Sequence, residues 1–243
     1  RTLERQIAQG IVPAGTQLAP RPAQIAAWDT LTADEKKVYA RYMEIFAAML
    51  SFQDAQFGRL MQELERMGIA GNTLVIFIEG DNGGSGEGGA HGTLNELAHL
   101  SSADGEFKVD TAWLAQHLDL LGGKDTYLGF PAGWAFATTT PFPWMKQIAS
   151  HLGGVRNGLV VSWPDGIAPR GEVRSQYHHV IDIVPTLLEV TGIPAPDTVD
   201  GVAQQPLDGT SMAYSFAAAD APSTRHTQYY EILGNRGIYH DGW

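Results

Sequence analysis

Residues 72–89, NTLVIFIEGDNGGSGEGG, constrain this chain more than any other stretch. The run 73–78 is apolar and rich in β-branched side chains, the pattern of a strand buried on both faces. It stops at Glu79-Gly80-Asp81-Asn82-Gly83-Gly84, and five of the residues from Gly83 to Gly89 are glycine. In open α/β sheets, ligand and metal sites lie just beyond the carboxyl ends of the strands. Asp81 and Asn82 stand there side by side, hard oxygen donors in a loop whose glycines let a ligand come close to the backbone. The same two residues are also common turn formers, and a plain glycine turn accounts for the composition equally well.

The flanking sequence places this loop in a larger pattern. Thr32 with Glu35 three residues on is a capping box. Val38, Tyr42, Ile45, Met49, Phe52, Leu60 and Leu64 then recur at helical spacing as far as Met67, where Gly68 ends the helix. A long helix running straight into a buried strand is an αβ unit, the building block of a parallel sheet.

Downstream, residues 113–121 read as a short helix and 130–137 as a cleft-lining loop, with Trp134 and Phe136 hinting at an apolar pocket. Residues 141–152 read as a helix carrying Lys146 and His151. Residues 159–164 form a second short buried strand, stopped by Pro164. Residues 182–190 form a helix with Pro185 in its first turn and Gly192 as its cap. His178 and His179 are adjacent, so in a strand they face opposite ways and do not converge on one metal; structural roles are expected. Residues 193–227 read as a surface excursion. A strand over 228–233, a turn at 234–237 and a return at Ile238-Tyr239 suggest a hairpin.

Composition excludes several classes. A net charge of −11 over 243 residues, with no basic cluster, argues against a binder of nucleic-acid backbones. Cysteine is absent, which removes disulfides, thiolate metal sites and a cysteine nucleophile from this chain. No apolar run approaches the length of a membrane span. The first residues lack both an initiator Met and the layout of a signal peptide, so the chain reads as part of something longer.

In this order the pieces resemble the sulfatase family, in particular the long bacterial arylsulfatases of the alkaline-phosphatase superfamily. The matching segments are Tyr42-Met43-Glu44, Gly58-Arg59-Leu60, the strand NTLVIF with GDNG, Glu87-Gly88-Gly89 and Gly92-Thr93-Leu94-Asn95-Glu96. They continue through Gly133-Trp134-Ala135, Pro141-Phe142 with Lys146, Ser162-Trp163-Pro164, and His179 with Asp182 to Leu187. Pro206 to Ser211 and the closing GNRGIYHDGW complete the set.

The resemblance implies an α/β fold: a mostly parallel, alkaline-phosphatase-like sheet flanked by helices, then the beginning of a small C-terminal antiparallel sheet. Residues 1–192 would belong to the large domain, and 193–243 would be a surface excursion and the start of a C-terminal subdomain. It implies that Asp81 and Asn82 bind calcium, with magnesium as an alternative, and that Lys146 contacts the oxygens of a sulfate ester. Phosphatase and phosphodiesterase relatives usually place a histidine after that aspartate, so Asn82 tilts the case toward sulfatase.

The family's formylglycine nucleophile arises from Cys/Ser-x-Pro-x-Arg. Here Ser162-Trp163-Pro164-Asp165-Gly166 comes nearest and lacks the arginine. The family's further calcium aspartates and its lysine and histidine set are also missing. The expectation is therefore the C-terminal portion of an arylsulfatase, inactive alone and needing the formylglycine half. The alternatives are a phosphonate or phosphate-ester hydrolase of the same superfamily, or a non-catalytic α/β binding module.

Overall fold

The computed structural model describes residues 1–80, 82–97, 101, 110–168 and 171–242. After a short helix α1 (Thr2–Ala8), the chain builds on α2 (Ala33–Arg66). The Thr32 hydroxyl accepts from the Glu35 N–H at 3.2 Å, and the Glu35 carboxylate accepts from the Thr32 N–H at 2.8 Å. Two of the donors that a helix start leaves unpaired are thus satisfied. At the far end Gly68 adopts φ +71°, a left-handed conformation that ends the helix.

The fully buried residues of α2 all lie in its first half. Val38, Tyr39 and Tyr42 form the core with Leu114, Ala115 and Leu121, with Ile45, Phe130 and Trp134 packed around them. Full burial of an aliphatic side chain such as Val38 or Leu114 contributes about 1.5–3 kcal/mol. Further along, Met49, Phe52 and Leu60 continue the helical spacing yet are 63%, 68% and 56% exposed. No helix among the described residues is long and apolar enough to cross a membrane.

The strand β1 (Val75–Ile78) follows α2, and Phe77 lies against Phe57 of the helix with ring centroids 4.9 Å apart. Its partner corrects the parallel expectation. β1 pairs antiparallel with β2 (Leu159–Ser162), in the register Val75↔Ser162 to Ile78↔Leu159. β1 is half-buried, and β2 is largely exposed rather than buried on both faces. An apolar run reports burial potential but carries no information about the direction of the neighbouring strand. Among the described residues the sheets are two-stranded antiparallel pairs, and the one parallel contact is the isolated Asn95–Tyr127 bridge.

Two short helices differ from expectation. α3 (Thr111–Leu114), capped by the Asp110 side chain, is separated from a 3-10 turn at Leu118–Leu120 instead of continuing into it. Residues expected as a cleft-lining loop form α4 (Ala132–Thr138). Trp134 on α4 donates from its indole N–H to the Tyr39 carbonyl at 2.8 Å, so it is a core residue rather than a pocket wall.

In the last third of the chain, α5 (Leu152–Val155) precedes β2, and α6 (Ile183–Thr191) follows it. α6 carries Pro185 in its first turn and ends at Gly192 with φ +69°. Residues 193–208 are exposed and include the small pair β3 (Thr198–Val199) and β4 (Val202–Ala203). Residues 209–226 return to the body of the protein around Asp182, whose side chain is 1% exposed.

The Asp182 carboxylate accepts from the N–H groups of Thr210 and His179, each at 2.8 Å, and from Arg225 Nε at 3.1 Å. A second guanidinium nitrogen of Arg225 also donates to it. The Thr186 hydroxyl accepts from the Met212 N–H at 2.8 Å, which pins the same segment to α6. The chain closes with β5 (Thr227–Ile232) and β6 (Asn235–His240). They are joined by Leu233 and Gly234, both at positive φ, so the turn is a two-residue one and shorter than the sequence suggested.

Burial pushes the Asp182 carboxyl upward. Hydrogen bonds from Arg225, Thr210 and His179, with the Arg225 charge, outweigh burial and hold it below the usual carboxylate range. A group whose folded value is lowered contributes stability that is present above its unfolded value, about 3.9, and is lost as pH falls through the folded value. Asp182→Ala leaves the buried Arg225 charge without its carboxylate and should lower the unfolding free energy by about 3–5 kcal/mol at neutral pH. Urea titration checks this, and the deficit should shrink below about pH 4 as the wild-type carboxyl itself protonates. Thr32→Ala removes the cap of α2 and should cost about 1 kcal/mol in the same assay. An unchanged midpoint would show that the core holds the helix start without it.

Candidate active site

β1 ends at Ile78, and the chain turns at Gly80 with φ +81°. Asp81 lies outside the described residues, while Asn82 is half-buried in the loop that follows. The next residue shows why the loop is glycine-rich. A Cβ on Gly83 would lie 1.5 Å from the Gly153 carbonyl oxygen and 3.1 Å from the Lys146 nitrogen. No side chain fits there, so the loop is pressed backbone to backbone against residues 144–154.

That second segment is not the helix expected over 141–152. Its N–H groups close short turns instead, Ile148 to the Met145 carbonyl at 3.2 Å and His151 to the Ile148 carbonyl at 3.1 Å, while that of Lys146 crosses to the glycine loop. Lys146 N–H donates to the Gly84 carbonyl at 3.1 Å, and Gly153 N–H to the Pro143 carbonyl at 3.0 Å. Trp144 and Gln147 both adopt positive φ, 64° and 74°, and the Thr139 hydroxyl donates to the Trp144 carbonyl at 2.8 Å. Lys146 therefore sits in a tight turn whose backbone is tied to the glycine loop. The hairpin reinforces this from the far side, since a Cβ on Gly237 of β6 would lie 2.6 Å from the Ala149 carbonyl oxygen.

The Lys146 ammonium donates to Glu87 Oε2 at 3.0 Å. Ser85 Oγ donates to the same oxygen at 2.9 Å, and Gln147 Nε2 donates to Glu87 Oε1 at 2.9 Å. The Glu87 side chain is 14% exposed and that of Lys146 33%. Burial pushes the Glu87 carboxyl upward, but the hydrogen bonds from Lys146, Ser85 and Gln147 and the lysine charge overcome it and hold it below the usual range. An ammonium carries three N–H donors, and Glu87 takes one of them.

The fold thus brings Lys146 onto the loop that carries Asn82. It places His178 and His179 elsewhere, against Asp182 and Arg225. Burial lowers both imidazoles below their ordinary range, and the Arg225 charge adds to this against the opposing Asp182. His179 caps the turn leading into α6 by accepting from the Ile181 N–H at 3.3 Å. Sequence reading passed over Glu87, Ser85 and Gln147 as partners of the lysine. The available signal was Gly86-Glu87-Gly88, a carboxylate set between glycines that allow close backbone contact. Among the described residues no group of three or more His, Asp or Glu side chains is arranged to hold a metal ion.

Comparison with known proteins identifies the framework around this site. The sulfatase family model matches residues 14–193. An uncharacterized sulfatase of Schizosaccharomyces pombe is 31% identical over 195 residues, which is 80% of this chain and 33% of the relative. An arylsulfatase of Klebsiella aerogenes is 28% identical over 207 residues, or 85% of this chain and 40% of the relative. The chain spans between a third and two fifths of the length of these curated relatives. Family membership implies an alkaline-phosphatase-like α/β fold, to which the described residues contribute helices and small antiparallel sheets. The matched region takes in α2, β1, the glycine loop and the Lys146 turn: this chain belongs to the sulfatase family.

Proposed function

We propose that this chain supplies part of the active site of an arylsulfatase, an enzyme hydrolysing sulfate esters. The observation that carries the reading is the seating of Lys146 against the loop that follows β1, with its backbone N–H on the Gly84 carbonyl. Lys146 offers a compact positive charge for the sulfate oxygens, and a preorganised cation of this kind stabilises charge that develops during ester cleavage. The arylsulfatase relative supports the same substrate class.

In this reading Asp81 and Asn82 hold a calcium ion, with magnesium as the alternative. The donor set fits. Asp81 and Asn82 offer side-chain oxygen, and the loop has neither thiolate nor imidazole before His91. When bound, the ion would supply positive charge to hold the sulfate ester beside the formylglycine nucleophile. With no cysteine and no serine in the required pattern, the nucleophile is assigned to residues outside this chain. Residues 1–192 then belong to the large α/β domain, and 193–243 open the C-terminal subdomain.

Calorimetric titration of the 243-residue chain with calcium, magnesium and zinc tests the reading. Two protein ligands leave most of the six to eight positions that calcium takes to water, so calcium should bind weakly, roughly in the millimolar range, and binding should vanish in Asp81→Ala. The same chain should show no turnover of an aryl sulfate. Turnover would overturn the external nucleophile. A preference for zinc that depends on Asp81 would favour a phosphate-ester hydrolase. Absence of any metal binding would return Asp81 and Asn82 to turn residues and favour a non-catalytic module.

A further inference from the structure

The geometry points to Glu87 as a specificity-determining residue that makes this site discriminate against dianionic esters. The inference rests on the reading that Lys146 meets the ester oxygens. Glu87 places a full negative charge 3.0 Å from the Lys146 ammonium. It is also fixed there. Its side chain is 14% exposed, and Ser85 and Gln147 donate to its two oxygens at 2.9 Å each. The turn that carries Lys146 and Gln147 is locked to the glycine loop through the Lys146 N–H and Gly84 carbonyl. That contact fixes the backbone positions from which the two side chains reach each other.

A sulfate monoester carries a single negative charge, whereas a phosphate monoester approaches two above its second pKa near 6. A lone lysine would draw the dianion more strongly. A lysine with a carboxylate fixed against it presents a dipole rather than a net positive charge, so the additional charge of the dianion gains little from the lysine and is repelled by Glu87. At separations of several ångströms and an effective dielectric near 20, one extra unit of charge facing Glu87 changes affinity by at least on the order of tenfold. Glu87 also orients Lys146, because one N–H is committed to a fixed acceptor.

The test uses the full 243-residue chain at pH 8, titrated with methyl sulfate and methyl phosphate. The Lys146 ammonium is followed by proton–nitrogen NMR and assigned by its disappearance in Lys146→Met. In the wild type, methyl sulfate should shift that resonance and methyl phosphate should bind no more tightly. In Glu87→Gln, methyl phosphate should gain about tenfold more affinity than methyl sulfate does. Glu87→Asp, which keeps the charge, should retain the wild-type ratio.

Binding of both ligands with a ratio unchanged in Glu87→Gln would overturn the role of Glu87 and leave the sulfatase reading standing. Failure of both ligands to move the Lys146 resonance, in the wild type and in Glu87→Gln, would overturn the contact between Lys146 and the ester, and the proposal with it. Should Glu87→Gln fail to fold, the wild type decides: a tenfold preference for methyl phosphate overturns discrimination by Glu87.

Discussion

The contact between the glycine loop and the turn at residues 144–154 is the constraint on which the site depends. It is a steric condition before it is a chemical one. With Gly83 facing Gly153, two stretches of backbone approach at a distance that no Cβ would allow. This closeness lets the Lys146 N–H reach the Gly84 carbonyl and its ammonium reach Glu87. Charge, hydrogen bonding and geometry at the site all follow from the absence of side chains at two positions.

The ion pair built on that contact has a double character. A partly buried carboxylate loses hydration, and Glu87 recovers it from three donors on two segments. The arrangement holds the lysine in place while tempering its positive charge, a different proposition from a lysine on an exposed helix face. Asp182 plays the corresponding structural part at the other end of the chain. It accepts from two backbone N–H groups and a guanidinium, and so turns residues 209–226 from a surface loop into a tie across α6. In both places a single carboxylate does what an apolar cluster does elsewhere, joining segments far apart in sequence.

Legibility in the sequence followed the range of the interaction. The Thr32–Glu35 capping box, the span of α2, its stop at Gly68 and the left-handed cap at Gly192 were all readable, because each depends on residues a few positions apart. The helix expected over 141–152 was not found. Positive φ at Trp144 and Gln147 interrupts any helical run there, and the local N–H groups close short turns while that of Lys146 reaches the Gly84 carbonyl. Trp134 read as a pocket aromatic and is a core residue, since its indole N–H has a partner in the Tyr39 carbonyl, 95 positions away. The direction of the β1 partner was also invisible, because burial of a strand and the polarity of its neighbour are independent quantities.

The sequence by itself determined the elements governed by local chemistry: the capped helix α2, the apolar strand, the glycine loop with its oxygen donors, and the motif order that marks a sulfatase. The tertiary structure alone decided which distant residues meet. Glu87 lies 59 positions from Lys146, and Asp182 lies 43 from Arg225. No local periodicity encodes such pairs, because they are selected by desolvation. A carboxylate taken out of water must find donors wherever the fold has brought them, and only the folded chain specifies where that is.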